Sequence, residues 1–144
     1  MNKKLKRLEQ IFEAMGRSHA VIGVIGGTHT DEDGNTFGMP GLAAAHEFGN
    51  KHLPERSFLR SSLLENKELY KRQLAALMKQ VVRGEITPDE AYNKMGAIAA
   101  GKAQEVILNG DLAALKPETI RRKGSSKPLI DTGQLVQSIT WDIR

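Results

Sequence analysis

At 144 residues the chain suits a single domain, residues 1–144, and it holds no cysteine, so disulfides and thiolate metal sites are excluded. Twenty-one Lys and Arg against seventeen Asp and Glu leave a net charge of +4 and a pI near 9.4, a basic excess that admits nucleic acid or an acidic protein face as partner without demanding either. Aromatics, at 5%, are too scarce for base-stacking platforms. No apolar run approaches the ~20 residues that span a bilayer, and no apolar stretch with a small-residue cleavage site follows the basic start, so the expectation is a soluble, cytoplasmically made chain with no membrane partner.

Residues 3–15 place Leu5, Leu8, Ile11, Phe12 and Met15 at the spacing of an amphipathic helix, with Gly16 as its expected stop. A Val- and Ile-rich strand is expected near 20–25, ended by Gly26 and Gly27. The polar, glycine-rich stretch 28–41 is predicted to be a mobile loop. A short helix is predicted at 42–48, closed by Gly49 and Asn50. Pro54 then interrupts helix formation. A long helix is predicted from about Ser61 to the segment Arg83-Gly84, with Tyr70, Leu74, Leu77, Met78 and Val81 on one face.

Thr87-Pro88-Asp89-Glu90 is a capping box, and it starts a second long helix ending at Asn109-Gly110. Gly96, Ala99, Ala100 and Ala103 form a small-residue ridge on that helix, suited to close approach by another backbone. One more helical turn is expected after Pro117, then a mobile basic loop at 121–130. Asp131 or Thr132 is placed to cap a short helix, 133–138. From Ile139 to Ile143 the apolar residues alternate, as in a strand. Pairing it with the strand near 20–25 gives an α+β fold: a small antiparallel sheet packed with several helices, two of them long.

Few residues suggest chemistry. His46-Glu47 begins like a zinc-peptidase helix, but the next histidine, His52, lies six residues on and past Gly49, so the two imidazoles do not share a helix face. Polar contacts at a helix end are the expected role for both. Asp31, Asp33 and Asn35 sit at calcium-loop offsets, yet Thr36 and Leu42 replace the required glycine and glutamate, which favours a solvated turn. The glycines after the first strand lack both phosphate-loop and dinucleotide spacing. No catalytic residue, metal or cofactor is expected. Two basic clusters, Asn2–Arg7 and Arg121–Lys127, suit acidic partners or DNA phosphates, with a solvated surface as the plainer alternative.

Two stretches carry a resemblance. "AAAHEFGNKHLPERSFLR" at 43–60 and "TIRRKGSSKPLIDTGQLVQSITWDIR" at 119–144, in this order and around two helices, are similar to the tail-completion and head–tail joining (neck) proteins of tailed bacteriophages and their prophages. The resemblance covers most of the chain from about residue 19. His46, Glu47, Phe48, Gly49, Pro54, Asp131, Thr132, Gly133, Leu135 and Ser138 carry its structural pattern. Leu53 and Ser57 depart from the commoner isoleucine and proline. The resemblance implies a structural virion protein and not an enzyme. It implies a small α+β domain in a homo-oligomeric ring between connector and tail terminator or tail tube, near DNA without reading its sequence. The expected partner contacts are Arg56, Phe58 and Arg60, an aromatic flanked by forked donors, together with Arg121, Arg122, Lys123 and Lys127; for Phe58, ordinary core packing is the equal alternative. On that expectation Arg56→Ala spares folding. The competing reading is a small basic DNA-binding protein of a mobile element.

Overall fold

A computed structural model describes residues 2–30, 33–49, 51, 55–109 and 133–144. In chain order these form α1 (Lys3–Arg17), β1 (Ala20–Val24), β2 (Thr28–Thr30), β3 (Thr36–Gly38), α2 (Met39–Phe48), α3 (Phe58–Glu65), α4 (Lys67–Val82), α5 (Pro88–Asn109), α6 (Gly133–Ser138) and β4 (Ile139–Ile143). The predicted sheet is present. β1 and β4 pair antiparallel with Ala20 opposite Ile143 and Val24 opposite Ile139. His19 and Arg144 extend the ladder by exchanging backbone hydrogen bonds of 2.7 and 2.9 Å.

The central element is α5, which packs on both strands of this sheet and on α3 and α4. Its small-residue ridge is what permits this: Gly96, Ala99, Ala100 and Ala103 are all buried. Two cores result. The larger gathers Met39, Ala43, Phe58, Ala103, Ile107, Leu135 and Ile139, and the smaller gathers Leu77, Val81 and Ala91 with Ile11, Ile86 and Met95 against them. The capping box forms as its spacing requires. The Glu90 backbone N–H donates to Thr87 Oγ1 at 3.2 Å, and the Thr87 N–H donates to the Glu90 carboxylate at 2.8 Å. Thr87→Ala removes one orphan-donor partner at the start of the central helix and is expected to cost about 1 kcal/mol, measurable by urea denaturation.

Three expectations need correction. Gly16 does not stop α1. The helix runs on to Arg17 because Met15 is buried and its carbonyl, which would be an orphan near the helix end, accepts the Tyr92 hydroxyl at 2.6 Å. The stretch 28–41 is not one loop. It contains the β2–β3 hairpin and the first turn of α2, whose Met39 N–H donates to the Gly27 carbonyl at 2.9 Å. The single long helix predicted from Ser61 is two helices. It begins earlier, at Phe58, and breaks at Asn66, whose side-chain amide and backbone N–H both donate to the Ser62 carbonyl at 2.9 and 3.1 Å. The mobile loop expected at 121–130 and the turn after Pro117 lie outside the described residues.

Candidate partner-contact surface

The stretch 43–60 folds into an interlock between two helix ends. α2 stops where Gly49 takes a positive φ of 70°, a conformation glycine adopts without strain, and its N–H returns to the Ala45 carbonyl at 2.9 Å. The chain comes back so that the Arg56 N–H donates to the His46 carbonyl at 2.7 Å. α3 then starts at Phe58 without a local side-chain cap. Glu47, on the last turn of α2, supplies one instead. Its two carboxylate oxygens accept the Leu59 and Arg60 backbone N–H groups, each at 2.9 Å. The same carboxylate accepts Arg60 Nε at 3.0 Å, while Arg60 Nη2 donates to the Glu47 carbonyl at 2.7 Å and to Glu55 at 2.6 Å.

This geometry decides what Glu47 can do. Its side chain is only 4% exposed, and its carboxylate oxygens already accept three donors. A carboxylate so engaged is a helix cap: it meets the positive end of α3 through two backbone N–H groups and a guanidinium through a third bond. Polar contacts at a helix end, the role expected for His46 and Glu47, are made by the Glu47 carboxylate, while His46 contributes its backbone carbonyl to the Arg56 N–H. Among the described residues no group of three or more His, Asp or Glu side chains converges to hold a metal ion.

The expected partner contacts separate into different classes. Phe58 is 0% exposed and lies in the larger core, so it is no surface anchor. Arg56 is 4% exposed, and its burial lowers the guanidinium pKa. Its backbone bridges α2 to the start of α3. Arg56→Ala is therefore expected to disturb folding, against the expectation from sequence. Of the three described contacts, Arg60 remains at the surface, with its side chain 48% exposed. The aromatic beside it is Phe48, not Phe58. The Arg60 guanidinium lies 4.7 Å from the Phe48 ring centroid, and Phe48 is 64% exposed. A guanidinium stacked on an exposed ring and fixed by two carboxylates is a rigid, amphipathic contact point. Sequence reasoning placed Phe48 in the structural pattern and overlooked Glu55. The spacing from Glu55 to Arg60 gave no signal, since Glu55 lies in irregular chain ahead of α3 and Arg60 in the first turn of that helix.

The second stretch is described only from Gly133. There α6 buries Leu135 completely, the Ser138 hydroxyl donates to the Leu135 carbonyl at 2.8 Å, and the Val136 carbonyl accepts Gln104 Nε2 at 3.0 Å. α6 touches α2, so both stretches that carry the resemblance meet in one core with Phe58 and Leu135 as its filled centres. Pro54, Arg121, Arg122, Lys123, Lys127, Asp131 and Thr132 lie outside the described residues.

Comparison with known protein families, with curated proteins and with solved structures found no match for this chain. Among the described residues no helix is long and apolar enough to cross a membrane.

Proposed function

We propose that the protein is a structural virion component of a tailed phage or prophage, acting in the neck or tail-completion region to join head and tail through subunit contacts. The observation that carries this reading is the convergence of the two resembling stretches. Their described parts lie far apart in sequence but share one core, which supports reading the two stretches as parts of one folded unit. The interlock of Glu47 and Arg60 gives that unit a stiff corner, and Phe48 on Arg60 presents an aromatic and a forked cation to a neighbour. Repetition of such a contact around an axis would close a ring.

The test is electron microscopy of lysates from the parent element with this gene deleted. Filled heads beside separate tails are expected, with joining restored by the intact gene and impaired when Phe48→Ala replaces it as a folded protein. Normal joined particles after deletion would overturn the reading.

A second reading, a small basic DNA-binding protein, rests on Lys3, Lys4, Lys6 and Arg7. They crowd the first two turns of α1, are exposed, and form no ion pair among the described residues. It requires duplex binding that weakens steeply with salt.

A further inference from the structure

The break at Asn66 creates a feature that a straight helix would not have. Leu63 and Leu64, at the end of α3, and Leu74, farther along α4, border one concavity whose other walls include Tyr70 and Met95. Its volume is about 470 Å³. Single exposed leucines are ordinary, but here Leu63 is 55%, Leu64 74% and Leu74 37% exposed around the same hollow. That size and apolar character fall within the range of sites that take up ligand or anchor side chains.

The rim supplies the sign of the occupant. Lys67 and Lys71, one helical turn apart on α4, both line the hollow. Lys67 forms no ion pair among the described residues, and Lys71 has only an exposed pair with Glu68 at 3.5 Å. Such a pair contributes little and exchanges readily for a better-placed carboxylate. Nucleic acid would neutralise the lysines but leave the leucines wet. A purely apolar surface would cover the leucines and strand two ammonium groups.

We propose that this elbow is a docking groove for a segment of another protein that inserts apolar side chains between Leu63, Leu64 and Leu74 and sets carboxylates against Lys67 and Lys71. The inference rests on the groove alone and stands or falls separately from the virion reading. The probe is a synthetic amphipathic helix with leucines on one face and glutamates on the other, titrated into the isotope-labelled protein and followed by amide chemical shifts. A counterpart with lysines replacing the glutamates is the control. Perturbations centred on Leu63, Leu64, Lys67, Lys71 and Leu74 are expected, with about tenfold preference for the acidic helix. In the double variant Lys67→Glu/Lys71→Glu, whose substitutions are exposed and leave the fold intact by circular dichroism, the preference is expected to reverse. Equal binding of both helices, perturbation elsewhere, or no binding at millimolar peptide overturns the proposal. So does self-association through the same residues without peptide, which would make a second copy the occupant.

Discussion

Glu47→Ala is expected to lower the melting temperature by about 10 °C, equivalent to a loss of roughly 3 kcal/mol at this chain length. The substitution removes no apolar contact of consequence. It leaves the Leu59 and Arg60 N–H groups without their acceptor at the start of α3, in a part-buried setting where water is a poor substitute. A lost cap costs about 1 kcal/mol for one donor, and here two donors and a charge-assisted bond go together. The guanidinium of Arg60 is exposed enough to be solvated after the change, so its freed charge adds little to the loss. Glu47→Gln keeps one acceptor oxygen and is expected to fall between the wild type and Glu47→Ala. Urea denaturation of the three proteins checks the order. If Glu47→Ala matched wild type, the interlock would not hold α3, and the start of that helix would have to be fixed by Phe58 packing alone.

The same residue shows where the sequence stopped being legible. Thr87 and Glu90 announce a helix start because both partners sit within one turn, and the structure forms that cap. Glu47 caps α3 from twelve and thirteen residues away, across a chain reversal, and no local pattern encodes such a reach. The start at Phe58 was therefore missed while the start at Pro88 was not. The pairing of β1 with β4 was legible because apolar alternation in 139–143 needs a covered face and the Val- and Ile-rich run at 20–24 was the available mate. The break at Asn66 was not, since the flanking leucines keep helical spacing on both sides and only the Asn66 backbone, at φ −106° and ψ 13° with its side-chain amide turned onto the Ser62 carbonyl, departs from the helix. The choice between Phe48 and Phe58 as exposed aromatic lay equally beyond pattern. Both stand next to helix ends, and tertiary packing alone decides which ring the core takes.

Two glycines in α5 should respond to the same substitution with opposite signs. Gly101→Ala is expected to stabilise the protein by about 0.5–1 kcal/mol, because a Cβ there meets nothing within 4 Å and alanine is the better helix former. Gly96→Ala gains the same helical preference, yet is expected to destabilise by a net 2–3 kcal/mol. A Cβ at Gly96 would collide with Cγ and Cδ1 of Trp141 and come within 2.8 Å of its Cβ. The indole cannot simply swing aside. Its Nε1–H donates to Asn93 Oδ1 at 3.1 Å, and its backbone is held opposite Ile22 in the sheet. Relief must come from moving β4 off α5, which loosens the contact that joins the central helix to the sheet. Trp141→Ala removes the two colliding ring atoms while leaving the Cβ, so the double variant Gly96→Ala/Trp141→Ala is expected to be less destabilised than the two single changes added together, by more than about 1 kcal/mol. Urea denaturation of the four proteins of this cycle, with Gly101→Ala as the internal standard, measures that coupling. Full additivity, or a Gly96→Ala protein as stable as Gly101→Ala, would mean that α5 does not seat against β4 through this ridge. The close approach that explains why a glycine stands in the middle of the longest described helix would then have to be abandoned.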